Sequence, residues 1–131
     1  MPADQPAGDH PAGDCRNVAP VLNRVGDKWS MLIVMILADG PRRFNELKRA
    51  IDGISQRMLT LSLRGLERDG LVSRSVTPSI PPRVDYELTK LGQSLQKPIC
   101  GLAMWATENV ESIHDAQRRF DAAQDARAEA A

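Results

Sequence analysis

Between Ser55 and Asp69 the apolar positions Leu59, Leu63 and Leu66 recur at i, i+4 and i+7. At 100° per residue they form one stripe, which predicts a helix with a single buried face. The opposite side carries Arg57, Thr60, Leu61, Arg64 and Arg68. Ser55 stands where an N-cap belongs, and Ile54 before it is placed to staple onto Leu59. Just upstream, Phe44, Leu47 and Ile51 predict a shorter helix from about Phe44 to Ile51, and Gly53 supplies the permissive backbone of a tight turn. The resulting order is helix, glycine turn, capped helix.

After this pair the period changes to two. Gly70 to Val76 reads as a strand, and Arg83 to Leu88 alternates polar with apolar, so the two suit an antiparallel hairpin. The connection Thr77-Pro-Ser-Ile-Pro-Pro82 contains three prolines, which stiffen it and remove backbone donors. Such a stiff loop costs little entropy to hold against a partner, and Arg83 at its exit is a cation in reach of a phosphate. An ordinary hairpin loop is the plainer alternative. Together these elements predict a winged helix-turn-helix.

The flanks are helical in pattern. Val18, Val21, Leu22 and Val25 place a short helix over Asn17 to Val25, ending at Gly26. Asp27 can cap the next, in which Met31 to Ala38 is continuously apolar until Asp39-Gly40-Pro41 stops it. The β-branched Ile33, Val34 and Ile36 make a strand the competing reading there. Thr89 can cap a long C-terminal helix with Leu91, Leu95, Ile99, Leu102, Ala106, Val110 and Ile113 at helical spacing, and Pro98 predicts a kink or break near Gln96. More apolar surface lies on these flanks than one small domain covers. The expected outlet is a homodimer interface of Val18, Val21, Leu22, Leu102, Trp105, Ala106, Val110 and Ile113, with folding back onto the same domain as the alternative. The fold class is thus mainly α with a small β-hairpin, a winged helix-turn-helix with N- and C-terminal dimerisation helices. Residues 1–14, rich in Pro, Gly, Ala and Asp, read as a disordered tail, residues 15–117 as the domain, and residues 118–131 as a charged, alanine-rich tail, either a helical extension or frayed.

Charge sharpens the picture. The whole chain has a formal net charge of +0, yet Gly40 to Lys90 holds ten basic residues against six acidic ones. A segregated basic segment in a neutral protein marks a phosphate-facing surface, so double-stranded DNA is the expected partner. Gln56, Arg57, Thr60 and Arg64 would lie nearest to bases, with Ser55, Leu61 and Arg68 on the same face. Arg42, Arg43, Lys48, Arg74 and Arg83 would hold phosphates, which position without specifying sequence.

Other chemistry is sparse. The 131 residues, 42% of them hydrophobic, suit one modest core. No apolar run approaches a membrane span and the N-terminus lacks a signal-peptide pattern, so no membrane partner and a cytoplasmic location are expected. Cys15 and Cys100 are too far apart for a CxxC motif. His10 and His114 add no ligand spacing, so neither metal nor cofactor is expected. No catalytic triad, carboxylate pair or phosphate loop occurs in usable context, which argues against an enzyme. Cys100, among Pro98, Ile99, Gly101 and Leu102, reads as a small buried hydrophobe. Cys15 lies where the tail meets a helix start; the positive helix end and Arg16 favour its thiolate and Asp14 opposes it, leaving a redox or electrophile sensor and an inert residue both open.

The blocks Asp27-Lys-Trp-Ser-Met-Leu-Ile, Gly40-Pro-Arg-Arg-Phe-Asn-Glu-Leu, Gly53-Ile-Ser-Gln-Arg-Met-Leu, Leu66-Glu-Arg-Asp-Gly-Leu-Val and Pro81-Pro-Arg-Val-Asp-Tyr-Glu-Leu-Thr stand in the order and spacing of one bacterial family. Over roughly Cys15 to Val110 the chain resembles the HxlR-type transcription regulators. That resemblance implies a dimeric winged-helix protein on an operator of two-fold character, with the DNA helix at Ser55 to Asp69 and the wing at Thr77 to Arg83. It also implies an effector: some members sense electrophiles or oxidants through a cysteine just ahead of the first helix, the place of Cys15, while a small-molecule effector or none stays open. The chain departs from the pattern at Leu61, where a polar residue is commoner, and after Cys15, where Arg16-Asn17 replaces a proline. Leu61 on the DNA side is suited to touch a thymine methyl.

Overall fold

The structure, a computed structural model, describes residues 15–130, with side chains from Arg16 onward. The tail expected over residues 1–14 and the side chain of Cys15 lie outside the described residues. The chain divides into two compact units, one ending at Gln96 and one spanning Lys97–Ala131.

In the first unit, α1 (Cys15–Val25) and α2 (Lys28–Leu37) are followed by a two-residue strand β1 (Arg42–Arg43), then α3 (Phe44–Ala50) and α4 (Gln56–Arg68). Strands β2 (Val72–Thr77) and β3 (Arg83–Leu88) and the one-turn helix α5 (Lys90–Gln93) complete it. The β-branched run that offered a strand alternative is helical in α2. Its start is fixed by Asp27, whose carboxylate accepts from the Ser30 amide at 3.0 Å, and its inner face, Ile33, Val34 and Leu37, is buried. The pattern won there because the N-cap and the following Gly-Pro stop bracket ten residues, long for a strand.

The core lies between α2, α3, α4 and the sheet. Leu47 and Ile51 from the α3 segment meet Ile54, Leu59, Leu63 and Leu66 from the α4 segment, with Leu71, Val72 and Leu88 closing it on the strand side. Each fully buried leucine is worth about 1.5–3 kcal/mol relative to exposure. Three on one stripe therefore hold α4 far more firmly than its own helical propensity. Gly53 adopts φ of +87° in the turn before α4, a conformation that a side chain would strain.

Two features depart from the expected hairpin. The sheet has three strands in the order β1-β3-β2, because Arg42 and Arg43 pair antiparallel with Tyr86 and Asp85. A two-residue strand is too short to leave a periodic signature, yet it covers part of the β3 edge. The first long strand also begins at Val72 rather than Gly70: the Gly70 and Leu71 amides instead donate back to Glu67 and Leu66 and finish α4.

Thr89 caps as expected, its hydroxyl accepting from the Gly92 amide at 3.0 Å while donating to the Gly70 carbonyl at 2.6 Å. It starts only one turn, however. The chain then breaks at Ser94 and Leu95, and the second long helix, α6 (Gln96–Ala130), begins afresh. Pro98 thus sits in the first turn of α6, where a missing amide hydrogen leaves no bond unmade. The break near Gln96 anticipated from Pro98 is present as a change of helix.

The second unit is α6 itself. It runs 35 residues, so the tail expected from Arg118 is helix to Ala130. Leu102, Trp105, Val110 and Ile113 are exposed on it, and so is Phe120, seven residues beyond Ile113. Cys100 is also exposed, contrary to the buried reading. Apolar neighbours in sequence do not share a helix face, and that reading had relied on them.

Candidate nucleic-acid interface

Ser55 fixes where α4 begins: its hydroxyl accepts from the Met58 amide at 3.0 Å. With Leu59, Ser62, Leu63 and Leu66 buried, the helix has no freedom to roll. The residues left outside include Arg57, Leu61, Arg64 and Arg68, at i, i+4, i+7 and i+11, a continuous outward stripe. Gln56 is exposed at its start and Thr60 half-buried beside it. Leu61 is 49% exposed, an apolar side chain set among cations on an open face.

The cations differ in how free they are. Among the described residues Arg57, Arg64, Arg43, Lys48 and Arg74 make no ion pair. Arg83 does: its Nε stands 3.1 Å from an Asp85 carboxylate oxygen. Arg42 is half-buried and its Nη1 donates to the Pro41 carbonyl at 3.0 Å. Arg43 opens α3, where its backbone amide donates to Glu46 at 2.8 Å. That hydrogen bond, aided by the nearby arginine charges, holds the Glu46 carboxyl below its ordinary range.

Strand register adds a residue that the sequence reading missed. Tyr86 lies opposite Arg42 on one side and Arg74 on the other. It lines a groove of about 400 Å³ between α4 and the sheet with Thr60, Leu63, Arg64, Glu67 and Arg74. Two guanidiniums against one carboxylate, with hydroxyls from Thr60 and Tyr86 at hand, suit a phosphodiester. The signal was available in principle, since pairing β2 with β3 in register places Arg74 and Tyr86 together. It needed the register.

The loop between β2 and β3 ends in an uncharged tip. Ser79 Oγ donates to the Pro81 carbonyl at 2.8 Å, and Ile80 is fully exposed. The tip therefore offers apolar contact, with Arg83 set back and paired. Arg68, expected on the DNA side, instead lines a second cleft with residues of α1 and α5. Glu67 beside it still lines the groove of Arg64 and Arg74, so direction around α4 is what turns Arg68 away.

The expected interface residues of the first unit, Val21 and Leu22, are exposed, and Val18 is half-buried. In the second unit Leu102, Trp105, Ala106, Val110 and Ile113 are exposed along α6. No helix among the described residues is long and apolar enough to cross a membrane, and no cluster of metal-ligating side chains occurs among them.

A capped helix with a cationic outer stripe, preceded by a glycine turn and followed by a β-wing, defines the winged helix-turn-helix class. Within that class the chain belongs to the HxlR-like helix-turn-helix family, whose model matches residues 24–114. It is 40% identical over 93 residues to the HTH-type transcriptional regulator YtfH of Escherichia coli K12, covering 71% of this chain and 74% of that one. Among solved structures, the transcriptional regulator ytfH from Salmonella typhimurium is 39% identical with a TM-score of 0.71, over 79% of this chain and 91% of that one. The reduced form of the redox regulator HypR is likewise 39% identical, with a TM-score of 0.70 over 75% and 97%. The chain is a winged helix-turn-helix regulator of the HxlR type.

Proposed function

We propose that this regulator works in the cytoplasm as a homodimer on an operator of two-fold character, with the N-terminal half of α4 from each copy in successive major grooves. The observation that carries this reading is the row Arg57, Leu61 and Arg64, held outward by a fully buried opposite face. Three turns of helix have no internal use for that row. Gln56, Arg57, Thr60, Leu61 and Arg64 read bases, while Arg43, Lys48, Arg74 and, at shorter reach, Arg42 and Arg83 meet phosphates. Val18, Val21 and Leu22 of α1 and the α6 row from Leu102 to Ile113 supply the dimer contacts, since apolar side chains of this size on open helix faces call for a cover.

A second reading concerns the signal. Cys15 opens α1, and the similar HypR is a redox regulator. Oxidation or electrophile modification of Cys15 is therefore proposed as one input.

Both readings are tested by a mobility-shift titration against the DNA flanking the protein's own gene, at two salt concentrations, with and without diamide. Specific retention that weakens steeply with salt is expected. A diamide response that disappears in Cys15→Ser supports the sensor, and an unaltered shift removes it. Retention no better than on random DNA would replace the DNA reader by a protein-interaction module on the same fold.

A further inference from the structure

We propose that the cleft between α1 and the C-terminal end of α4 binds a small organic anion with an apolar body, and that its occupation is passed to the DNA-reading helix through Arg24. The second half rests on the proposed function; the first does not. The cleft encloses about 420 Å³, within the range of roughly 300–1,000 Å³ in which small organic ligands are held. Leu71, Leu91 and Leu95 give it apolar walls, with Val21, which the proposed dimer also touches, at its rim, and Leu91 is more than half exposed. Its polar end holds Arg24, Arg68 and Asp69.

The charges select the occupant. Arg24 Nε donates to Asp69 Oδ2 at 2.8 Å, which leaves one guanidinium charge unanswered beside an apolar wall. A hydrocarbon body with a single carboxylate satisfies both parts. A neutral ligand leaves the charge unmet, and a dianion overshoots it.

The route to α4 is short. Asp69 is the C-cap of α4, and Arg24 reaches it by lying across Gly65, where an added Cβ would overlap the guanidinium. Glycine in mid-helix is unfavourable, and here its bare surface is what the arginine occupies. Arg24 thus ties the last turn of α1 to the last two turns of α4. An incoming carboxylate drawn in by the unanswered Arg68 also comes within reach of Arg24, where it competes with Asp69 and loosens the tie, so occupation lowers operator affinity.

The probe pair is 1-naphthoate and 1-naphthamide, equal in shape and different in charge. Calorimetry on the full chain is expected to give naphthoate at least tenfold tighter binding, with the preference lost in Arg24→Gln and binding by both probes blocked in Leu95→Trp. Fluorescence anisotropy on labelled operator is expected to show at least threefold weaker DNA binding with saturating naphthoate, and no such response in Arg24→Gln. Equal affinity for the two probes, or no binding of either, overturns the site. Selective binding that leaves operator affinity unchanged overturns the coupling. Sedimentation that shows naphthoate splitting a dimer assigns the cleft to a second copy of the chain and overturns the ligand. Selective naphthoate binding by a protein that ignores DNA would keep the site and remove the regulator reading instead.

Discussion

The two flanks of α4 share a helix and differ in almost everything else. On the wing side, Arg64 and Arg74 stand without an ionic partner among the described residues, in a polar groove with Tyr86. On the α1 side, Arg24 is already committed to Asp69 and the surroundings are apolar. An unpaired arginine on an open face costs little in water and gains most when a phosphate arrives. A paired one beside a greasy wall is already part of the fold. The same residue type thus waits unpaired for a phosphate on one flank and, on the other, holds an internal partner that a ligand must displace.

The largest effect is expected at Leu63, which is buried and also floors the wing-side groove. Leu63→Ala is expected to cost about 2–5 kcal/mol in urea unfolding and to weaken DNA binding only as far as the folded fraction falls. A large loss of DNA binding at full folding would mean that the groove depends on shape more than charge. Next come the cations. Arg57→Ala is expected to lose about 1–3 kcal/mol of discrimination between operator and random DNA. Lys48→Ala should weaken both alike and reduce the salt slope by about one, as read by anisotropy over a salt series. The reverse pattern would exchange their roles.

A sharper contrast lies within the wing. Arg74→Ala is expected to weaken DNA binding more than Arg83→Ala, because Arg83 must first give up Asp85. Equal losses would show that this exposed pair holds nothing back, as many surface pairs do. Ser55→Ala should cost about 1 kcal/mol of thermal stability through the unpaired Met58 amide, with Ser55→Asp restoring it. The smallest effect is at Glu46. Its carboxyl is held below the ordinary range when folded, so its contribution is present above the unfolded pKa and fades as pH falls through the folded one. Glu46→Gln should flatten that acid limb in a pH series of melting curves.

Legibility followed the range of the forces. The α4 stripe, its Ser55 cap and the Asp27 cap were readable because each depends on residues three or four apart. The pairing of β1 was not, since two residues carry no period and their partners lie more than forty positions away. Nor was the Arg24–Asp69 pair, separated by 45 residues. Arg68 lines the α1-side cleft while Glu67 lines the wing-side groove, because successive helical side chains turn by about 100° around the axis. Tyr86 was overlooked because an aromatic in an alternating strand reads as packing until its cross-strand neighbours prove to be arginines.

The α6 row from Leu102 to Phe120 has a further consequence for how this protein would behave in dilute solution. Seen alone, a 35-residue helix with few buried contacts is held by propensity and by whatever covers its apolar side. If a second copy provides that cover, mass action governs the far end of the helix and local packing governs the winged domain. Dilution would then fray the C-terminal half of α6 first, while the reading head kept its shape. The abundance of the regulator would itself set how much of its length is folded.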